Sequence, residues 1–528
     1  MRKVLRVLAA LAVAVPLAAA IEPSAAQAVG PNLLPVTVTN STGRGDAVYL
    51  YVLGVQLSSG KLGYVNQSGA FTAWSGGQIP PSPAPDVAIG GPGNGGSTTI
   101  NFPRGFSGRV YFSFGEKLKF YLTPDGLVQP APWAAGDANQ NILFDWSEFT
   151  YNDSGLWLNS SQVDMFAVAH AVTVTNSAGV TKRTGDLVAN GRDNVINTIR
   201  GTSGWANTVY TRSDGTVLRV LSPGKAAGAG LLSSTYLDSY ISSAWNAYAG
   251  KTLTVVPFAD QPNTKYFGRT SGNVMNFTNT SGAQVASFNK PSSASVWGCA
   301  GDLPAPNDLV VGPISRTLCA ALNRGTLGTI DTQPSTNAAD FYKNNPTNVY
   351  AKVIHANMAD GKAYAFPFDD VGNFESLVND GDPRSAGIVL SPFSGGGTTT
   401  PTAVSVISSL NNKCIDVPSA NFVDGARLQT WTCNGTNAQK WTFTGGTLAS
   451  QNGKCMDVAS GSTANGAAIQ LWTCNGTGAQ QFVLNSAGAL VNPQSNKCVD
   501  IVGANSADGA KLQLWPCAGS SNQTWRKG

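Results

Sequence analysis

The chain has 528 residues, of which 12% are charged, and its formal net charge is +4; an average soluble protein carries roughly 25% charged residues. No Lys/Arg block occurs, which argues against a nucleic-acid surface, and 42% hydrophobic residues with 12 Trp argue against a disordered chain. What remains is a globular protein with a polar but uncharged surface and a length that suggests about three folding units.

Residues 1–28 read as a secretory signal. Arg2, Lys3 and Arg6 give a basic start, Val4–Ala20 is mostly Ala, Val and Leu, and Ala26-Gln27-Ala28 offers small residues for cleavage before Val29. A membrane anchor is the alternative, but Pro16 and Glu22 interrupt the apolar run. Removing Arg2, Lys3, Arg6 and Glu22 with the signal leaves a net charge near +2. A secreted, extracellular location suits the eight Cys. Their spacing predicts four short-loop disulfides: Cys299–Cys319, Cys414–Cys433, Cys455–Cys474 and Cys498–Cys517. No Cys-x-x-Cys pair occurs and the chain has two His, so neither a zinc site nor a cofactor is expected.

Residues 29–393 form the front domain. Pro35–Asn40 and Val48–Leu53 alternate with strand period, and turn clusters recur about every ten residues, as in a sandwich or barrel. Ser234–Ala249 and Asn337–Met358 read as helices. In the strand Phe144–Asn152, Trp146, Glu148, Thr150 and Asn152 share one face. Asn152-Asp153-Ser154-Gly155 turns the chain, Leu156–Asn159 returns, and Val163–Val168 is a third strand. That reading puts Glu148 and Asp164 on neighbouring strands of one sheet, facing one cleft. Two carboxyls flanking a cleft with a Trp are the minimum equipment for glycosidic cleavage. Asp145 reads equally well as a supporting partner or as an ordinary strand start. His170 and His355 lie in no metal or Ser-hydrolase motif and read as structural or surface residues.

The run from Asp145 through Tyr151-Asn152, Gly155–Asn159 and Gln162–Phe166 resembles glycoside hydrolase family 64, the β-1,3-glucanases of the laminaripentaose-producing type. Lys362–Asp370 resembles the closing strand of thaumatin-like proteins. The resemblance implies a mainly β fold: a thaumatin-like β-barrel or sandwich with an attached mixed α/β subdomain. It implies inverting hydrolysis of β-1,3-glucan to short oligosaccharides, with Glu148 as general acid and Asp164 as general base. Thr150, Asn152 and Trp157 would line the groove, and Asp369 and Asp370 would bind sugar hydroxyls.

Ser394–Thr402 is a Gly/Thr/Pro linker with nothing to pack a core. Beyond it, residues 403–528 repeat three motifs in order: Lys-Cys-x-Asp at 413, 454 and 497, Gln-x-Trp-x-Cys at 429, 470 and 513, and a closing Gln-x-aromatic at 439, 480 and 523. This segment resembles the ricin-B-type β-trefoil, carbohydrate-binding module family 13. The resemblance implies one sugar site per lobe: Asp416, Gln429, Trp431 and Gln439; Asp457, Gln470, Trp472 and Gln480; Asp500, Gln513, Trp515, Asn522 and Gln523. Ala438 and Ala479 replace the Asn in the first two lobes. Trp441, Phe482 and Trp525 read as core, while Trp431, Trp472 and Trp515 read equally as stacking platforms or packing. The expectation is a monomeric, secreted glucanase tethered to a second glycan by its lectin, with no nucleic-acid or membrane partner. A non-catalytic thaumatin-like glucan-binding protein is the alternative.

Overall fold

The computed structural model of the protein describes residues 30–124, 126–393, 403–444, 447–475, 477–485 and 488–528. The signal and linker segments lie outside these residues. The chain divides into two compact units, one before and one after the linker segment.

In the first unit, the alternation near the N-terminus produces the strand Leu33–Asn40, with Leu34, Val36 and Val38 fully buried. It belongs to a five-stranded sheet ordered Thr181–Thr184, His170–Asn176, Pro383–Leu390, Leu33–Asn40, Ser97–Pro103. The pairing with Pro383–Leu390 is parallel, so the last strand of the unit closes beside the first. The larger sheet is ordered Leu377–Asp380, Gly155–Ser160, Leu143–Asn152, Phe106–Phe114, Val48–Gln56, Lys61–Val65, Phe71–Ala73, with Ile89–Gly90 added to Val48–Gln56. Alternate side chains of the two sheets share one core. Phe102 stacks on Phe149 with ring centroids 3.7 Å apart, and Ile100, Val110, Phe112 and Ile388 are fully buried in the same core. Burying each such side chain stabilises the fold by about 1.5–3 kcal/mol. The opposite face of the larger sheet carries Trp146, Glu148 and Thr150, with Tyr111, Arg109 and Ser107 directly across from them.

A second, smaller core lies in the same unit. It is built from the sheet Gln284–Asn289, Val274–Thr278, Tyr266–Ser271, Leu253–Val255, Thr332–Gln333 and the helices Asp238–Ala247, Ser293–Gly298 and Val311–Arg324. The expected helix Ser234–Ala249 is realised as Asp238–Ala247. The expected helix Asn337–Met358 is not continuous: a short 3₁₀ turn, Ala338–Asp340, precedes the helix Val349–Ala356. Pro346 has no N–H to donate and disfavours helical backbone at Asn345. Asn348 then caps the new helix, its side chain accepting from Ala351 N at 3.0 Å. The longest helix of this core, Val311–Arg324, was not expected. Ile314, Leu318 and Leu322 recur every four residues on its buried side, and Gly325 ends it with φ 73°. Cys299–Cys319 ties it to the end of Ser293–Gly298.

The second unit repeats one hairpin in one register. Cys414 faces Trp431 and Asp416 faces Gln429; Cys455 faces Trp472 and Asp457 faces Gln470; Cys498 faces Trp515 and Asp500 faces Gln513. Each hairpin is closed by the expected disulfide, Cys414–Cys433, Cys455–Cys474 or Cys498–Cys517. Trp441, Phe482 and Trp525 are buried in a common core, and the Trp441 and Trp525 indoles donate to Ile415 O and Val499 O, both at 3.0 Å. Neighbouring lobes are latched twice: Asp508 pairs with Lys413 and accepts from Thr432, and Asp424 pairs with Lys454 and accepts from Thr473. At the third junction Asn465 stands in the Asp position and Pro516 in the Thr position.

Candidate active site

Glu148 sits mid-strand, opposite Arg109 on one side and Asn159 on the other. Arg109 Nε and Nη2 both lie on Glu148 Oε1, at 2.9 and 2.8 Å. Glu148 Oε2 has no hydrogen-bond partner among the described residues. Arg109 is itself held from behind: Nη1 donates to Gln129 Oε1 at 3.1 Å, Tyr111 OH donates to the same oxygen, and the guanidinium lies 4.7 Å from the Trp146 ring centre. Trp74, Leu62 and Leu127 continue a crevice from Arg109 and Tyr111.

Asp164 is not on a strand beside that of Glu148. Only Met165–Phe166 is extended there, and it pairs with Val217–Leu221 in a separate three-stranded sheet. The expected third strand fails because the segment around Asp164 is held by individual bonds instead of a ladder. Gln162 N donates to Tyr364 O at 2.9 Å, Tyr350 OH donates to Gln162 O at 2.6 Å, and Ser222 N donates to Asp164 O at 3.0 Å. Asp145 accepts from Ala167 N and Val168 N at 2.9 and 3.0 Å. The Asp164 carboxylate pairs with Lys225 Nζ at 3.2 Å, and that ammonium lies 4.3 Å from the Trp133 ring centre.

Glu148 and Asp164 nevertheless meet in one electrostatic neighbourhood. Burial works against the charged form of Arg109, but the Tyr111 phenol and both carboxylates hold the guanidinium above its ordinary value. Burial pushes the Tyr111 phenol up, Arg109 pulls it down, and Glu148 and Asp164 again push it up. Tyr364, pushed up first by burial, feels Asp370, Glu148 and Asp369. Burial lifts Asp370 above the usual carboxylate range and takes Glu375 up to about 7.

The expected groove residues divide. Trp157 is half-buried on the Glu148 face, paired with Thr150. Thr150 is buried, its Oγ1 2.7 Å from Ser107 Oγ. Asn152 Oδ1 accepts from Ser154 N at 2.8 Å and so shapes the turn. Gly155 in that turn has φ 118°, and a Cβ there would meet Asp380 O at 2.1 Å. Asp370 is half-buried, and its Oδ1 is out of contact with solvent and unpartnered. Asp369 does not bind sugar hydroxyls: it is fully buried, pairs with Arg324 Nη2 and His355 Nε2 at 2.9 Å each, and accepts from Ala365 N. His355 thus belongs to a structural cluster. His170 is buried edge-on to Phe112, its Nδ1 3.0 Å from Val168 O, and burial holds the imidazole down to about 4.

Sequence reasoning missed Arg109, Gln129, Tyr111, Lys225, Trp133, Tyr364 and Glu375. Arg109 left a signal, the one charged residue in the aromatic-rich strand Phe106–Phe114. Lys225 left none, since it lies within the short helix Pro223–Gly228, far from Asp164 in sequence.

In the trefoil, Trp431, Trp472 and Trp515 are 41%, 40% and 43% exposed, unlike the buried Trp441 and Trp525. Asp416, Asp457 and Asp500 accept from Gln429, Gln470 and Gln513 at 2.8–2.9 Å. Gln439, Gln480 and Gln523 are buried and used within their lobes. Each bridges the lobe's Asp to backbone groups of the loop that follows the Trp. The Asp and Gln floors differ at their edges. Lys511 Nζ donates to Gln429 Oε1 at 2.8 Å, and Asn522 Nδ2 donates to Asp500 Oδ2 at 2.7 Å. In the second lobe, Asp457, Gln470 and Trp472 line an open depression with Ser460, Asn475 and Gln494.

Comparison with known proteins agrees with this geometry. The β-1,3-glucanase family profile matches residues 32–390, and the ricin-type β-trefoil lectin profile matches residues 402–525. Proteins named glucan endo-1,3-beta-glucosidase from Cellulosimicrobium cellulans and from Arthrobacter sp. (strain YCWD3) are each 46% identical over 429 residues, 78% of this chain and 77% of theirs. A crystal structure of a laminaripentaose-producing β-1,3-glucanase in complex with laminaritetraose is similar with TM-score 0.67 and 53% identity, over 69% of this chain and 100% of that one. A β-1,3-glucanase domain from Clostridium beijerinckii shares the fold, with TM-score 0.57 at 24% identity over 69% of this chain and 99% of that one. The chain therefore belongs to glycoside hydrolase family 64, the β-1,3-glucanases, and carries a ricin-type β-trefoil domain after its catalytic unit.

Proposed function

We propose that the cleft hydrolyses β-1,3-glucan to short oligosaccharides of the laminaripentaose class with inversion, Glu148 acting as general acid and Asp164 as general base. The observation that carries this reading is the placement of two carboxylates about the buried Arg109 and Tyr111, Glu148 paired to Arg109 from the larger sheet and Asp164 paired to Lys225 from the segment before Met165–Phe166. With Oε1 engaged by Arg109, Glu148 Oε2 is the oxygen that gives a proton to the leaving glycosidic oxygen. Asp164 takes a proton from a water that attacks the anomeric carbon on the opposite face. Each turnover thus leaves Glu148 ionised and Asp164 protonated, and solvent resets both. The substrate is neutral, which suits a cleft whose cations Arg109 and Lys225 are already paired with its carboxylates. The exposed Trp of each trefoil lobe stacks on a sugar ring and tethers the enzyme to polysaccharide. The basic, apolar N-terminal segment and the disulfides support secretion.

Glu148→Gln and Asp164→Asn test the assignment. Each should lower kcat on a soluble laminari-oligosaccharide by about 10³-fold or more, with unchanged circular dichroism. Near-wild-type turnover in either variant sinks that residue's role. Proton NMR of fresh product should show the α-anomer first, whereas an initial β-anomer would mean retention.

A further inference from the structure

We propose that Asp145 is the positioning residue that sets the place of Asp164 relative to Glu148. This rests on the reading of Asp164 as the base. Asp145 lies on the same strand as Glu148 but on the opposite face, so its carboxylate enters the core instead of the cleft. It is 2% exposed and has no Lys or Arg in ion-pair contact among the described residues. An anion buried in this way is costly unless hydrogen bonds replace its water. Here all three partners are backbone amides: Trp146 N at 3.0 Å on Oδ1, and Ala167 N at 2.9 Å and Val168 N at 3.0 Å on Oδ2. Burial pushes this carboxyl up to about 7, and the three amides, with the Arg219 guanidinium, pull against that.

The placement is specific to the chemistry. The amides that Asp145 takes lie three and four residues beyond Asp164, where the two-residue strand Met165–Phe166 has ended. One side chain therefore joins the strand of the acid to the segment of the base. The same segment is gripped from its other side, because Arg192 Nε donates to Ala167 O at 2.8 Å. Arg192 is buried and reaches Val217 O with Nη2 at 3.1 Å, so neither residue of the clamp touches substrate. Inversion needs room for one water between the carboxyls, and a displacement of about 1 Å in such a constellation can cost roughly 100-fold. A clamp of this kind acts on the rate of the chemical step and leaves binding alone.

The test is steady-state kinetics of the full chain on laminarihexaose. Asp145→Asn keeps the shape but replaces one of the two acceptor oxygens with an NH2 donor, so either Trp146 N or the converging Ala167 and Val168 amides face a donor. Its kcat should fall about 10- to 100-fold while KM stays within about twofold. Arg192→Gln, which loosens the same peptide from the other side, should show the same split to a lesser degree. Met275→Ala, a change in the second, smaller core of the unit, gives the comparison: at a similar loss of Tm it should keep kcat. Asp145 is merely structural if its variant loses no more kcat than Met275→Ala, or if KM rises in step. Should Asp145→Asn not fold, the Arg192→Gln split decides by the same two criteria. Asp164→Asn is run beside them; retained activity there would overturn the base assignment itself, whatever the clamp variants do.

Discussion

The two units place an Asp among its polar partners in opposite ways. In the trefoil each Asp finds its Gln directly across one hairpin, 13 residues on, and a disulfide of sequence separation 19 closes that hairpin. The arrangement is local and is made three times. In the cleft the proposed acid lies in the larger sheet and the proposed base in the irregular segment just before Met165–Phe166, and their supports come from Arg109, Gln129, Lys225, Tyr350 and Tyr364, spread over more than half the unit. Local sites tolerate variation lobe by lobe, as Ala438, Ala479 and Pro516 show. A site assembled once from distant segments has no spare copy.

The comparison can be broken most sharply at the tryptophans, because the trefoil carries the same residue type in two opposite environments. Trp441 is 0% exposed and donates to Ile415 O, whereas Trp472 is 40% exposed. Trp441→Ala should cost the trefoil about 3–5 kcal/mol, read as a separate, earlier unfolding transition. Trp472→Ala should change stability by less than about 0.5 kcal/mol and instead weaken glycan retention on affinity electrophoresis. A large stability loss from Trp472→Ala would return that ring to the packing role.

These differences also explain what was legible in the sequence. The repeat displayed Asp416, Asp457 and Asp500 in register because three copies align themselves, and their hairpins needed no long-range contact. Phe144–Asn152 and Leu156–Asn159 were legible by alternation. Asp164 is singled out in the sequence by its place on a strand neighbouring that of Glu148 and given its role by the family resemblance, but its setting differs, because Val163–Val168 has strand composition while the backbone of residues 162–168 is held by Asp145, Ser222, Tyr350 and Tyr364. Asp369 illustrates the same limit. An acid beside another acid in a polar turn looks available, and only the folded chain brings Arg324 and His355 onto it.

Both His of the chain lie in the catalytic unit, so acid should separate the units. His170 is neutral in the core, its imidazole held down to about 4, while an unfolded chain takes up the proton at about 6.5. The unfolded state therefore binds more protons in that window. The native state loses stability as the pH falls from about 6.5 to about 4, by about 3 kcal/mol for this group. Above 6.5 the contribution is fully present. Urea unfolding of wild type and His170→Gln at pH 7 and pH 4 isolates it: the advantage of wild type should depend on pH by that amount, with wild type losing more on acidification. An equal response of the two proteins would mean that His170 is protonated without cost in the native state.

The smallest effect should come from separating the units. Each has its own core. Removing residues 403–528 should therefore leave kcat and KM on soluble laminari-oligosaccharide within about twofold. A tether raises effective concentration only where the polymer is fixed. On insoluble glucan at low enzyme concentration the truncated protein should thus be slower by about tenfold, a difference worth about 1.4 kcal/mol. The gap should close as enzyme is raised to saturate the surface, because a lost tether changes occupancy and not turnover. Equal losses on soluble and insoluble substrate would instead make the trefoil a structural support of the catalytic unit, and the local logic of its three lobes would then have to be explained by something other than sugar.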